Sequence, residues 1–136
     1  MTPDGEVEAA THSLALSLER GVAAPGVARA AVAEQLAAAG IDGSKEQTIV
    51  LLVSEVVSNA VRHSSAPAGA AIELRASVDD QLVRVSVTDA GEGFTPRPRN
   101  PDNIGDGYGL YLLEKAAASW GVEQESGTTV WFEIER

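Results

Sequence analysis

Two short stretches constrain this chain most. Residues 72–78 and 82–88 alternate apolar and polar side chains with a period of two, and only Asp79, Asp80 and Gln81 separate them. Val83, Val85 and Val87 point one way and Arg84, Ser86 and Thr88 the other, as in a strand with one buried and one solvated face. So short a link between two strands predicts an antiparallel hairpin. Residues 12–18 alternate in the same way, with Leu14, Leu16 and Leu18 on one side.

Helical patterns fill the intervals. Residues 26–39 are Ala-rich and stop at Gly40 after the break GVAAPG. Ser44, with Gln47 three residues on, reads as a capping box for a helix running to about residue 63. A helix over about 109–119, a strand over 121–125, a turn at Ser126–Gly127 and a strand over Thr128–Glu135 complete the reading. The expected fold is α+β, a two-layer sandwich with helices on one face of a mostly antiparallel sheet. Residues 89–109 stand apart, rich in Gly, Pro, Asp and Asn and without periodicity. Long aperiodic segments in small domains tend to be functional.

The length of 136 residues predicts a single domain over 1–136. A formal charge of −10 argues against nucleic acid, whose binding rests on neutralising phosphates. The absence of cysteine excludes disulfides, thiolate metal sites and cysteine nucleophiles. No apolar run approaches the roughly 18 residues of a membrane span. The start MTPDGEVEAA lacks the basic-then-apolar pattern of a signal peptide, so the cytoplasm is the expected location.

Three stretches carry chemistry. On a wheel of about 100° per residue with Ile49 at zero, Leu52, Val53, Val56 and Ala60 fall within roughly 60° of it. Glu55, Asn59 and His63 fall at ~240°, ~280° and ~320° on the same wheel, a polar stripe along the edge of the core face. Arg62, at ~220°, lies beside Glu55. Such a row of oxygen and nitrogen donors is either a solvated flank or one wall of a cleft suited to magnesium. The second stretch, Asp89-Ala-Gly91-Glu-Gly93-Phe94, ends a strand and allows close backbone approach of a ligand. The third, Gly105-Asp-Gly107-Tyr-Gly109-Leu110, opens a helix and offers free amides to a phosphate.

In this order the three stretches resemble the boxes of the GHKL ATP-binding superfamily of gyrases, chaperones, histidine kinases and mismatch-repair ATPases. Residues 55–63, EVVSNAVRH, resemble its N-box, and Asp89 to Phe94 its first glycine box. Gly107, Gly109 and Leu110 resemble the second box, and Gly127-Thr128-Thr129-Val130-Trp131-Phe132 the closing strand. Small size and Glu55 at the head of the N-box are most similar to the bacterial anti-sigma-factor serine/threonine kinases. The resemblance covers about residues 12–135, with an ATP lid over about 94–107.

The resemblance implies a Bergerat-type fold and the cofactors ATP and magnesium. Asn59 would hold magnesium against the ATP phosphates, and Asp89 would accept a hydrogen bond from the adenine amino group. Glu55 would be the general base. Gly91, Gly93, Gly107, Gly109 and Leu110 would surround the nucleotide, with Arg62, His63 and Thr128 in contact with it. Arg29 sits where these kinases contact a partner. The implied function is phosphorylation of an anti-anti-sigma factor and sequestration of a sigma factor, with a homodimer possible. Two other readings stay open: a nucleotide-sensing binding module that transfers no phosphate, and a slow ATPase.

Overall fold

The computed structural model describes residues 12–63, 70–90, 108–124 and 127–136, with His63 and residues 108–110 described by their backbone alone. In chain order these form β1 (His12–Glu19), α1 (Ala24–Ala38), α2 (Gly43–His63), β2 (Ala71–Val78), β3 (Leu82–Asp89), α3 (Tyr108–Ala116), β4 (Ser119–Gln124) and β5 (Thr128–Glu135). The five strands make one sheet in the order β1-β2-β3-β5-β4, every pair antiparallel. The expected lid lies outside the described residues.

The alternation in the sequence becomes the two faces of this sheet. Ile72, Leu74, Ala76 and Val78 of β2 are buried, as are Val83, Val85 and Val87 of β3 and Val130, Phe132 and Ile134 of β5. All three helices cover that one face. α1 packs on β1 and β2, α2 on β3, and α3 on β4, while α2 lies between the other two helices. Ala28, Val32 and Leu36 of α1 are fully inside, as are Ile49, Val53 and Val57 of α2 and Leu113 of α3. The fold is the expected two-layer α+β sandwich.

Gln35 fixes α1 on the sheet: its amide nitrogen donates to the carbonyl oxygens of His12 at 3.3 Å and Ala76 at 3.0 Å. On the outer face the guanidinium of Arg84 lies 4.5 Å from the centre of the Trp131 ring and 2.8 Å from Glu133. Ser119 Oγ donates to the other oxygen of Glu133. Gly121 is opposite Trp131 in the ladder, and the indole occupies the space a β-carbon there would need.

Several boundaries differ from expectation. α1 begins at Ala24 rather than residue 26, because Pro25 sits in the first turn, where its missing N–H costs no hydrogen bond. α2 begins at Gly43, one residue ahead of the Ser44 expected as cap, with Gly43 in a left-handed conformation at φ 68°. α3 stops at Ala116 and β4 starts at Ser119, earlier than the helix to 119 and strand from 121. The Ala118 amide donates to the Glu133 carbonyl at 2.8 Å, so sheet pairing overrides the helix propensity of the alanines.

Candidate functional site

α2 carries four of the expected site residues. Glu55 and Asn59 stand one turn apart, and Arg62 and His63 follow at the carboxyl end of the helix. Asn59 is buried, Glu55 half-buried and Arg62 exposed. A buried carboxamide requires hydrogen-bond partners, because leaving one of its atoms unsatisfied costs about 1–3 kcal/mol. Arg62 supplies one, its guanidinium donating to Asn59 Oδ1 at 2.8 Å. The i,i+3 spacing puts the two side chains on the same side of the helix.

The sheet supplies the facing wall. Asp89 ends β3 and Thr128 begins β5, and the two are direct cross-strand partners. Asp89 is 4% exposed and Thr128 2%, a carboxylate and a hydroxyl held inside an otherwise apolar layer. Val56 and Ala60 of α2, Val87 and Asp89 of β3, and Thr128 and Val130 of β5 line one cleft. Glu55 and Asn59 adjoin Val56 and Ala60 in the chain, each about 100° round α2 from a lining residue. For a hard cation Glu55 and Asn59 offer one carboxamide oxygen and, a turn away, a carboxylate. Magnesium takes one or two such ligands and completes its shell with phosphates and water. Among the described residues, no three His, Asp or Glu gather as a protein-built metal cage would require.

Gly127 lies tightly against Asp89, beside the two polar residues of the sheet wall. Its φ is 128°, and a β-carbon at this position would overlap the main-chain carbonyl of Asp89. Only glycine lets β5 begin this close to the end of β3. Gly109 and Leu110 lie in the first turn of α3, the helix packed against α2. Gly91, Gly93 and Gly107 are outside the described residues. Arg29 is not part of the cleft: it donates to Ser54 Oγ at 3.0 Å, about 100° round α2 from Glu55.

Sequence reasoning brought Glu55, Asn59, Asp89 and Thr128 to one site; Asp89 and Thr128 line the cleft, while Glu55 and Asn59 precede its lining residues Val56 and Ala60 on α2. It missed the contact between Arg62 and Asn59, which their spacing could have signalled. It also took Val56 and Ala60 as core alone, although both are cleft walls.

The profile of the histidine kinase-like ATPase domain matches residues 20–134. The chain belongs to that family. Among solved structures, this histidine kinase-like ATPase domain is similar to the RsbU and RsbW domains of Rv1364c from Mycobacterium tuberculosis. That match has a TM-score of 0.72 and 28% identity, over 91% of this chain and 33% of the other. The histidine kinase domain of the Erythrobacter litoralis EL346 blue-light activated histidine kinase matches with a TM-score of 0.54 and 26% identity, over 81% of this chain and 60% of the other. The histidine kinase-like ATPase domain described here thus spans less than two thirds of the length of either structure. No curated protein matches it significantly. No helix among its described residues is long and apolar enough to cross a membrane.

Proposed function

We propose that the chain, acting as a single domain, is an ATP-binding regulator and an anti-sigma-factor serine/threonine kinase. In this reading it transfers the γ-phosphoryl group of ATP to a hydroxyl of an anti-anti-sigma partner and otherwise sequesters a sigma factor. One observation carries the reading: a buried carboxylate and hydroxyl, Asp89 and Thr128, share a cleft with the helix that bears Glu55 and Asn59. Membership of an ATPase family and the likeness to a structure containing an RsbW domain support it.

Each residue then has a task. The apolar walls, Val56, Ala60, Val87 and Val130, take the flat adenine, and Asp89 accepts a hydrogen bond from its amino group. Thr128 stands beside Asp89 at that end. Asn59 holds a magnesium ion, which neutralises charge on the phosphates when bound. Arg62 and His63, at the end of α2, meet the phosphates. The glycines at 91, 93, 107 and 109, with Leu110, belong to the nucleotide-binding set in this reading. Glu55 receives the proton of the attacking hydroxyl as its oxygen bonds to the γ-phosphorus. The bond to the β,γ-bridging oxygen breaks, and ADP leaves. Phosphoryl transfer asks little more of a protein than this positioning and charge balance. Arg29, on α1, is left for contact with a protein partner, and the proposed place of work is the cytoplasm.

The test is a pull-down with and without ATP, followed by phosphosite mapping of the captured protein after incubation with γ-labelled ATP and magnesium. Phosphate appearing on a serine or threonine of the captured protein supports the kinase. Capture that depends on ATP with no phosphate transferred replaces it with a binding module. Phosphate released to water without an acceptor replaces it with an ATPase.

A further inference from the structure

The contact between Arg62 and Asn59 goes beyond ATP binding, although the inference rests on that reading. Asn59 is buried on α2, and its Oδ1 accepts a hydrogen bond at 2.8 Å from the exposed guanidinium three residues on. In the proposed site this same oxygen is the ligand for magnesium. A guanidinium proton lies about 1.9–2.0 Å from its acceptor, nearly the distance of a magnesium ion from its ligand oxygen, about 2.0–2.1 Å. The arginine therefore brings a positively charged group to the oxygen that the metal would bind.

We propose that Arg62 is a built-in stand-in for the metal: it orients Asn59 while no magnesium is bound, and the ion must displace it. An amide oxygen has two lone pairs, but a guanidinium and a divalent ion on one oxygen repel each other at close range. Arg62 and magnesium are thus antagonists at Asn59. Arg62 is exposed and on a long flexible stem, and in this proposal its displaced guanidinium turns to the nucleotide phosphates. Affinity for ATP then depends less steeply on magnesium than it would with Asn59 alone.

The test is a cycle of four dissociation constants. ATP binding is measured by calorimetry for the wild type and Arg62→Met, each in excess EDTA and in saturating magnesium. Methionine keeps an apolar stem and removes the guanidinium with its charge. The expected result is that magnesium improves ATP affinity about three- to tenfold more in Arg62→Met than in the wild type, the range of one partly exposed charge-assisted hydrogen bond. Arg62→Lys, which keeps the charge, returns the ratio toward the wild-type value. A magnesium-induced gain that is equal in Arg62→Met and the wild type, or smaller in the variant, overturns the proposal while leaving ATP binding in place. Failure of the wild type to bind ATP in either condition overturns the functional reading and this inference together. Thermal melts of both variants separate a misfolded sample from these outcomes.

Discussion

Gly127 packs its backbone against the main-chain carbonyl of Asp89, leaving no room for a side chain between them. The contact joins the first residue before β5 to the last residue of β3, beside the pairing of Asp89 with Thr128 across the ladder. The close approach of the two strands there is a property of the backbone at Gly127 as much as of the two buried polar groups.

Gly127→Ala tests that coupling. Alanine is strained at a φ of 128°, and its methyl group also meets the Asp89 carbonyl. Urea unfolding should show a loss of about 1–3 kcal/mol, the cost of a non-glycine residue in such a region. ATP affinity measured by calorimetry should fall with it, since strand separation moves Thr128 from Asp89. Undiminished affinity in a destabilised protein would detach Gly127 from the site.

Asp89→Asn and Asn59→Ala address the two ends of the nucleotide. In the proposed site each would remove a charge-assisted or metal contact worth about 1.5–3 kcal/mol, so ATP affinity should drop roughly ten- to hundredfold. GTP should bind poorly to the wild type, because guanine presents an acceptor where Asp89 requires a donor. Equal ATP affinity in the wild type and Asp89→Asn removes Asp89 from the adenine contact.

Glu55→Gln separates binding from transfer. Glu55 is half-buried on a helix whose core contacts are made by its neighbours Val53, Val56 and Val57, so the isosteric amide preserves the fold. ATP binding should stay nearly intact while phosphoryl transfer to the acceptor falls by about 10²–10⁴, the usual worth of a positioned base. Equal transfer rates in quench-flow measurements would refute the assignment.

Asp79 gives the hairpin a pH dependence. Its carboxylate accepts from the amides of Gln81 at 2.8 Å and Leu82 at 2.7 Å. These bonds, the Gln81 one first, hold its pKa below the ordinary 3.8. A depressed folded-state value means that the stabilisation is present above pH 3.8 and is lost as pH falls through the folded-state pKa. Asp79→Asn should therefore be less stable than the wild type in urea at pH 7, and the difference should close in acid. A gap that persists at the same size below that window would contradict the assignment.

The hairpin was legible because Asp79, Asp80 and Gln81 interrupt two unambiguous period-2 runs, and strand register follows from a turn that short. The inward face of α2 was legible for the same reason: Val56 and Ala60 sit within the apolar arc. Asn59 lay at the edge of that arc, and its burial depends on how closely the sheet approaches the helix, which no single helix encodes. The end of α3 was misjudged because Ala116, Ala117 and Ala118 favour a helix locally, while the pairing of Ser119 with Glu133 is decided at a distance. The contact of Gly127 with Asp89 was invisible for a related reason. A Ser-Gly pair signals a turn, and nothing in it names the carbonyl that the turn will meet.

The sheet order β1-β2-β3-β5-β4 has a consequence for how the molecule is made. β3 leaves the ribosome well before β5, and until β5 is made one edge of β3 has no partner strand. Exposed edges of this kind pair readily with other chains. β5 closes that edge and brings Thr128 beside Asp89 in the same zipping event. Translation that stalls after α3 would release a chain both sticky and unable to hold a ligand between those two residues. A ligand held between those two residues would stabilise only the finished sheet.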